Sequence, residues 1–212
     1  MFNNFYTCLS TRYIVKLLLF CFLTACSTEK VSKTDDVCTV FNKNYDWYRA
    51  AYHAQKKHNI DANIIMAVMA QESNYIYNAR PSKHYVFNFI PWGYKTSARG
   101  YAQIIDGAWD DYKKENNKWF PSRHSFNDAS DYIGWYLNKA SNNLKIKRND
   151  SYHLYLAYHQ GLSGYKRHEE KHNQKLDLIA KKVQRNTFRY QKEFKQCQNT
   201  LWLKHWLYVW DY

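Results

Sequence analysis

From Leu176 to Phe194 the residues Leu176, Ile179, Ala180, Val183, Thr187, Tyr190 and Phe194 recur mainly at steps of three and four. A helix with 3.6 residues per turn gathers such positions on one face; a strand, whose faces repeat every two residues, scatters them. The same period returns in Tyr48, Ala51 and Tyr52, ending near Asn59. It returns again in Ile65, Val68 and Met69, beside Ile64 and behind Asp61, a residue type that caps helix N-termini. Ile104, Ile105, Ala108, Trp109 and Tyr112 mark a further helix, and Ile133, Tyr136, Leu137 and Ala140 another. Leu154, Ala157 and Tyr158 mark one more, with Ser151 as its cap and Gly161 as its C-terminal stop. Pro81 to Ser97 holds two of the three prolines and no sustained period, so it reads as a long loop of the kind that carries function. No hairpin signal, internal repeat or low-complexity segment interrupts this pattern. With 212 residues and 45% hydrophobic composition, the expectation is one mainly α-helical domain.

The N-terminal residues obey a different rule. Arg12 and Lys16 precede the apolar run Leu17 to Leu23, which is about half the roughly 20 residues a membrane-spanning helix needs, so residues 1–25 read as an export leader. Leu23-Thr24-Ala25-Cys26 resembles the bacterial lipobox, which implies lipidation at Cys26, and residues 26–37 form a polar tether. Ser27 after that cysteine resembles the sorting signal for the periplasmic side of the outer membrane. Of five cysteines, Cys8 and Cys21 leave with the leader and Cys26 is acylated, so Cys38 and Cys197 remain as one pair in an oxidising compartment. A disulfide closing the domain 38–197 is expected, against the alternative of two free thiols. Losing Arg12 and Lys16 lowers the formal charge from +13 to +11. An exported protein rarely meets nucleic acid, so that charge points to an anionic wall polymer or lipid headgroups. Residues 198–212 form an aromatic tail, expected to dock on the domain or touch a membrane interface.

One residue breaks the apolar pattern. Glu72 stands three residues after Met69, four after Val68 and seven after Ile65, on the stripe its own helix should bury. A carboxyl against apolar surface is hard to ionise and can donate a proton near neutral pH. A carboxylate turning out to water at a helix end fits the periodicity equally well, and spacing alone leaves both readings open.

Three segments bear on the choice. Glu72-Ser73 at a helix end, Ser97-Ala98-Arg99-Gly100-Tyr101-Ala102-Gln103 after a loop, and Ala157-Tyr158-His159-Gln160-Gly161 resemble, in order and separation, the signature segments of the soluble lytic transglycosylases related to goose-type lysozyme. Ile90-Pro91-Trp92-Gly93, with cysteines near the domain ends, resembles a lipoprotein subgroup of that family. The resemblance covers roughly residues 60 to 165. It implies a lysozyme-like helical domain in which Glu72 is the catalytic acid and then base. Ser73, Ser97, Gly100, Tyr101, Gln103, Tyr158 and His159 would form the substrate site, with the Tyr158 hydroxyl near Glu72 to orient it. Tyr101-Ala102 replaces the family's Leu-Met, so Tyr101 itself is expected to supply a wall of the sugar site. His159-Gln160 replaces Asn-Ala, which leaves His159 to donate the hydrogen bond assigned to Asn.

The implied activity is non-hydrolytic cleavage of the β-1,4 bond between N-acetylmuramic acid and N-acetylglucosamine by a monomer that uses no cofactor. The alternatives are a lysozyme-like hydrolase, in which Asp106 would position water, and a non-catalytic wall-binding lipoprotein. His168-Glu169-Glu170-Lys171-His172 fits a zinc-binding pattern, but Lys166, Arg167, Lys171 and Lys175 crowd it with positive charge and no third ligand is evident, so no metal site is expected.

Overall fold

The computed structural model describes residues 35–87, 89–168 and 173–209. The leader 1–25, Cys26 and most of the tether lie outside the described residues. Among the described residues seven helices and one small hairpin carry the fold: α1 (Val37–Lys43), α2 (Tyr45–His58), α3 (Ala62–Ser73), β1 (Lys83–Val86), β2 (Ile90–Tyr94), α4 (Asp106–Glu115), α5 (Phe126–Leu144), α6 (Ser151–Lys166) and α7 (Gln174–Val209). The mainly helical reading holds, and the element order follows the apolar spacing of the sequence.

At the centre lies α3. Asp61 caps it, its carboxylate accepting from the Asn63 N–H at 2.8 Å. Ile64 through Ala70 are each at most 1% exposed, so the helix is buried on every side rather than along one stripe. It achieves this by packing against α2, α5 and α7. Gly134 lets α5 approach α2 closely, since a Cβ there would stand 2.8 Å from the His58 ring.

A buried carboxylate joins three of the surrounding helices. Asp131 on α5 meets Lys57 Nζ at 2.9 Å, His58 Nε2 at 2.6 Å and the Tyr112 hydroxyl at 2.6 Å. Burial alone would raise its pKa; the bonds from His58, Tyr112 and Lys57 outweigh it and hold the group well below the usual carboxylate range.

Three elements differ from expectation. Residues 81–97 are not a plain loop: β1 and β2 pair antiparallel, with Tyr85 opposite Pro91 and Val86 opposite Ile90. Neither strand face is buried, so the alternation that marks a strand was never required, and Pro91 is tolerated because a two-stranded sheet has only edges. Gly161 breaks α6 with φ 77° and ψ 162°, but the helix resumes and reaches Lys166. The last helix does not stop at Cys197; α7 runs on to Val209, where Leu201 is buried while Trp202, Leu203, Trp206 and Leu207 stay about half exposed.

Cys38 and Cys197 form a disulfide that ties α1 to α7 across 159 residues of sequence. Constraining so long a loop in the unfolded chain is worth about 2–4 kcal/mol. Replacing both cysteines by Ser should lower the unfolding free energy in urea by that amount; a loss under about 0.5 kcal/mol would show that the bridge does not stabilise the fold through the unfolded chain.

Candidate active site

Glu72 occupies the last turn of α3. Gln71 and Glu72 at this end are half-buried, but the carboxyl oxygen Oε1 of Glu72 is itself shut off from solvent. The helix then stops abruptly: Asn74 and Tyr75 both adopt left-handed backbone, with φ of 52° and 62°. For Asn this is tolerable; for Tyr it is strained by about 1 kcal/mol or more. Tyr75 is held there by burial and by its hydroxyl, 3.2 Å from both the Met66 carbonyl and the Tyr190 hydroxyl. The reversal leaves Glu72 at the floor of a cleft of about 460 Å³, lined also by Gln103, Ile105, Tyr136, Tyr158 and His159.

Within this cleft the carboxyl is poorly solvated. Its Oε1 is buried without a hydrogen-bond partner among the described residues. Burial pushes the Glu72 pKa up to about 7, and a hydrogen bond from Tyr155 opposes the rise without cancelling it. Burial, with Glu72 nearby, likewise raises Tyr155, Tyr132 and Tyr158. A neutral carboxyl among neutral phenols is therefore the state this pocket favours near pH 7, and such a group can give up a proton to a bond that breaks beside it.

The second wall is the segment 96–105. Gly100 takes φ 77°, and a Cβ on it would lie 2.0 Å from the Arg123 carbonyl oxygen, so only glycine fits. Its N–H donates to the Ala79 carbonyl at 3.0 Å, while Gln103 Nε2 donates to the carbonyls of Ala79 at 3.0 Å and Gly100 at 2.9 Å. Gln103 thus spends its amide donors on the loop while lining the cleft. Arg123, nearly buried, donates to the Ile104 carbonyl at 2.8 Å and lies over the Trp109 ring, closing the turn from behind.

α5 and α6 supply the third wall. Tyr158 donates to the Ala102 carbonyl at 2.7 Å and packs edge-on against Tyr136 and Tyr132. It therefore fixes the second wall to the third, and the hydroxyl that bonds Glu72 belongs to Tyr155, one turn earlier. Tyr155 lies just before the signature segment that begins at Ala157; its distance of three residues from Tyr158 is the signal that points to it. His159 stands at the rim, open on one side, and desolvation on the other lowers its pKa below the ordinary value. A neutral imidazole there can donate or accept a hydrogen bond.

Other residues singled out in the sequence lie elsewhere. Ser73 is buried and turns its hydroxyl back to the Met69 carbonyl. Ser97 receives the Asp106 N–H at 3.0 Å and serves as a cap for α4. Tyr101 is absent from the Glu72 cleft lining; its ring packs against Phe126 and Trp47, beside a separate groove that holds Arg49 and His53. A buried aromatic cluster outcompetes the cleft for that side chain, so Tyr101 does not form the cleft wall expected of it. Asp106 is exposed and paired with Arg123 and Arg99; the bond from Arg123 holds its pKa low, and it lines the groove outside the cleft. Residues 169–172 of the zinc-like pattern lie outside the described residues, and among the described residues no group of three or more His, Cys, Asp or Glu is placed to hold a metal ion.

The family model described as the transglycosylase SLT domain matches residues 14–197 of the chain. No curated protein matches it.

The raised pKa has a consequence for stability. Between about pH 4.5 and 7 the folded protein holds a proton on Glu72 that the unfolded chain has released, so raising the pH destabilises the fold across that window and no further above it. Glu72→Gln removes this dependence. The variant should match the wild type near pH 4.5 and exceed it by about 3 kcal/mol at pH 8 in denaturant titrations. Parallel stability curves for the two proteins would show that Glu72 ionises freely.

Proposed function

Since the chain belongs to the transglycosylase SLT domain family, we propose that it is a peptidoglycan lytic transglycosylase with Glu72 as its single acid and base. The observation that carries this reading is the Glu72 carboxyl lining the cleft with its Oε1 buried and unpartnered among the described residues, a burial that pushes its pKa up to about 7. As a neutral acid it protonates the oxygen of the β-1,4 bond between N-acetylmuramic acid and N-acetylglucosamine, and an oxocarbenium-like transition state develops at C1. The resulting carboxylate then takes the proton from the muramic 6-hydroxyl, whose oxygen bonds to C1. The product is a 1,6-anhydro end, and Glu72 is returned protonated without consuming water.

An attacking group that belongs to the substrate makes a second carboxylate unnecessary. This fits a cleft whose lining contains one acid, and it disfavours the hydrolase reading, because Asp106 is committed to two guanidinium groups outside the cleft. Tyr155 orients the carboxyl, Tyr158 holds the two walls together, and Gln103 and His159 line the path of the glycan. Net positive charge draws the protein to an anionic wall. Lipidation at Cys26, a monomeric state and residence on the periplasmic side of the outer membrane belong to the same proposal. The absence of Tyr101 from the cleft lining favours one other reading, a non-catalytic wall-binding lipoprotein, because the sugar wall expected from that residue is missing.

Incubating the wild-type chain and Glu72→Gln with purified sacculi separates these readings. Soluble muropeptides with 1,6-anhydro ends should form with the wild type and fall at least about a hundredfold with the variant. Reducing ends would establish hydrolysis; no release by either protein would reject catalysis, and co-sedimentation of both proteins with the sacculi would then favour the wall-binding reading.

A further inference from the structure

The hairpin stands outside everything the cleft explains. Apart from Val86, every residue of β1 and β2 is exposed; Phe87 and Phe89 at the tip are 78% and 73% exposed, and Trp92 on β2 is 72% exposed. A two-stranded hairpin that buries so little is marginal in water. No residue of either strand lines the Glu72 cleft, which takes Thr96 and Ala98 from beyond the base.

The side chains are graded along the hairpin. Phe87 and Phe89 stand at the tip, with Val86 and Ile90 next; Tyr85 and Trp92 follow, then Tyr94 opposite Lys83, and Arg80 and Lys95 flank the base. Arg80 lies over the Tyr94 ring, 5.3 Å from its centroid. From residue 73 to 105 the sequence contains no Asp or Glu. Hydrocarbon-compatible rings, then amphipathic rings, then cations is the order in which a bilayer with anionic headgroups presents its own layers. The four residues of β1 span roughly 13 Å, enough to cross from headgroups into the acyl region.

We infer that the β1–β2 hairpin is a membrane-docking element that inserts Phe87 and Phe89 into a bilayer while Arg80, Lys83 and Lys95 hold anionic headgroups. A glycan strand is the weaker occupant. Sugar recognition pairs aromatic faces with polar side chains beside the reacting bond, whereas these rings are not part of the cleft lining and the lysine and arginine cations collect at the opposite end of the hairpin. This inference rests on the hairpin alone and stands whether or not Glu72 is an acid catalyst.

The experiment uses the full chain with Cys8, Cys21 and Cys26 replaced by Ser, so that only an introduced cysteine is free to label. An environment-sensitive fluorophore is placed through Phe87→Cys, and separately through Trp119→Cys, a position 85% exposed on another loop. With vesicles of phosphatidylcholine and phosphatidylglycerol, the label at 87 should shift to the blue and be quenched by nitroxides on the acyl chains, while the label at 119 should not. Adding Arg80→Glu, Lys83→Glu and Lys95→Glu should raise the vesicle concentration needed for the shift at 87 by about tenfold or more. Aqueous emission at 87 while the chain sediments with vesicles would overturn the assignment, as would failure to bind them or equal shifts at both positions. A response to sacculi but not to vesicles would identify glycan as the occupant and overturn it too.

Discussion

Burial of α3 on every face is the constraint from which the cleft follows. A helix with one wet side can turn a terminal carboxylate toward solvent at little cost. Here Ile64 through Ala70 are buried on all sides, and the half-buried Glu72 is carried to the edge of the core with one oxygen shut off from solvent and unpartnered among the described residues. Desolvation then does to its pKa what no cationic neighbour in the cleft is present to undo. The left-handed pair Asn74 and Tyr75 completes the arrangement by ending the helix directly beyond the carboxyl, at a conformational cost that the Tyr75 contacts with Met66 and Tyr190 sustain.

The cleft keeps its shape through backbone carbonyls rather than a web of side chains. The Ala79, Ala102 and Ile104 carbonyls each accept a bond from a side chain distant in sequence, and Gly100 accepts one from nearby Gln103, so the loop 96–105 is held by Gln103, Arg123 and Tyr158. Gly100 makes the close approach to Arg123 possible. The same segment that resembles a substrate-binding motif thus has a structural task in this protein, and Tyr101, which that motif would place against sugar, packs into the Trp47 and Phe126 cluster instead.

What the sequence made legible was what its local chemistry dictates. Asp61 caps α3 and Asn59 ends α2, because a carboxylate beside free N–H groups and an Asn in left-handed backbone are favourable wherever they occur. Glu72 was legible as an interruption, and Cys38 with Cys197 as the pair left over. Choices made by packing were not legible. Periodicity shows that Tyr101 seeks burial but not against which surface, and it cannot separate Tyr155 from Tyr158 as the partner of Glu72 when both lie on one side of α6. The hairpin was missed for the opposite reason: strands that bury neither face carry no alternating signal. Gly161 reads as a stop because its φ is positive, yet packing of the residues beyond it restarts the helix.

The account turns on one property, the protonation of Glu72 near neutral pH. Carbon-13 labelling of the glutamate side chains, with Glu72→Gln to assign the resonance, measures it directly. A midpoint near 7 is predicted; a midpoint below about 5, the range of a solvated glutamate, would contradict it.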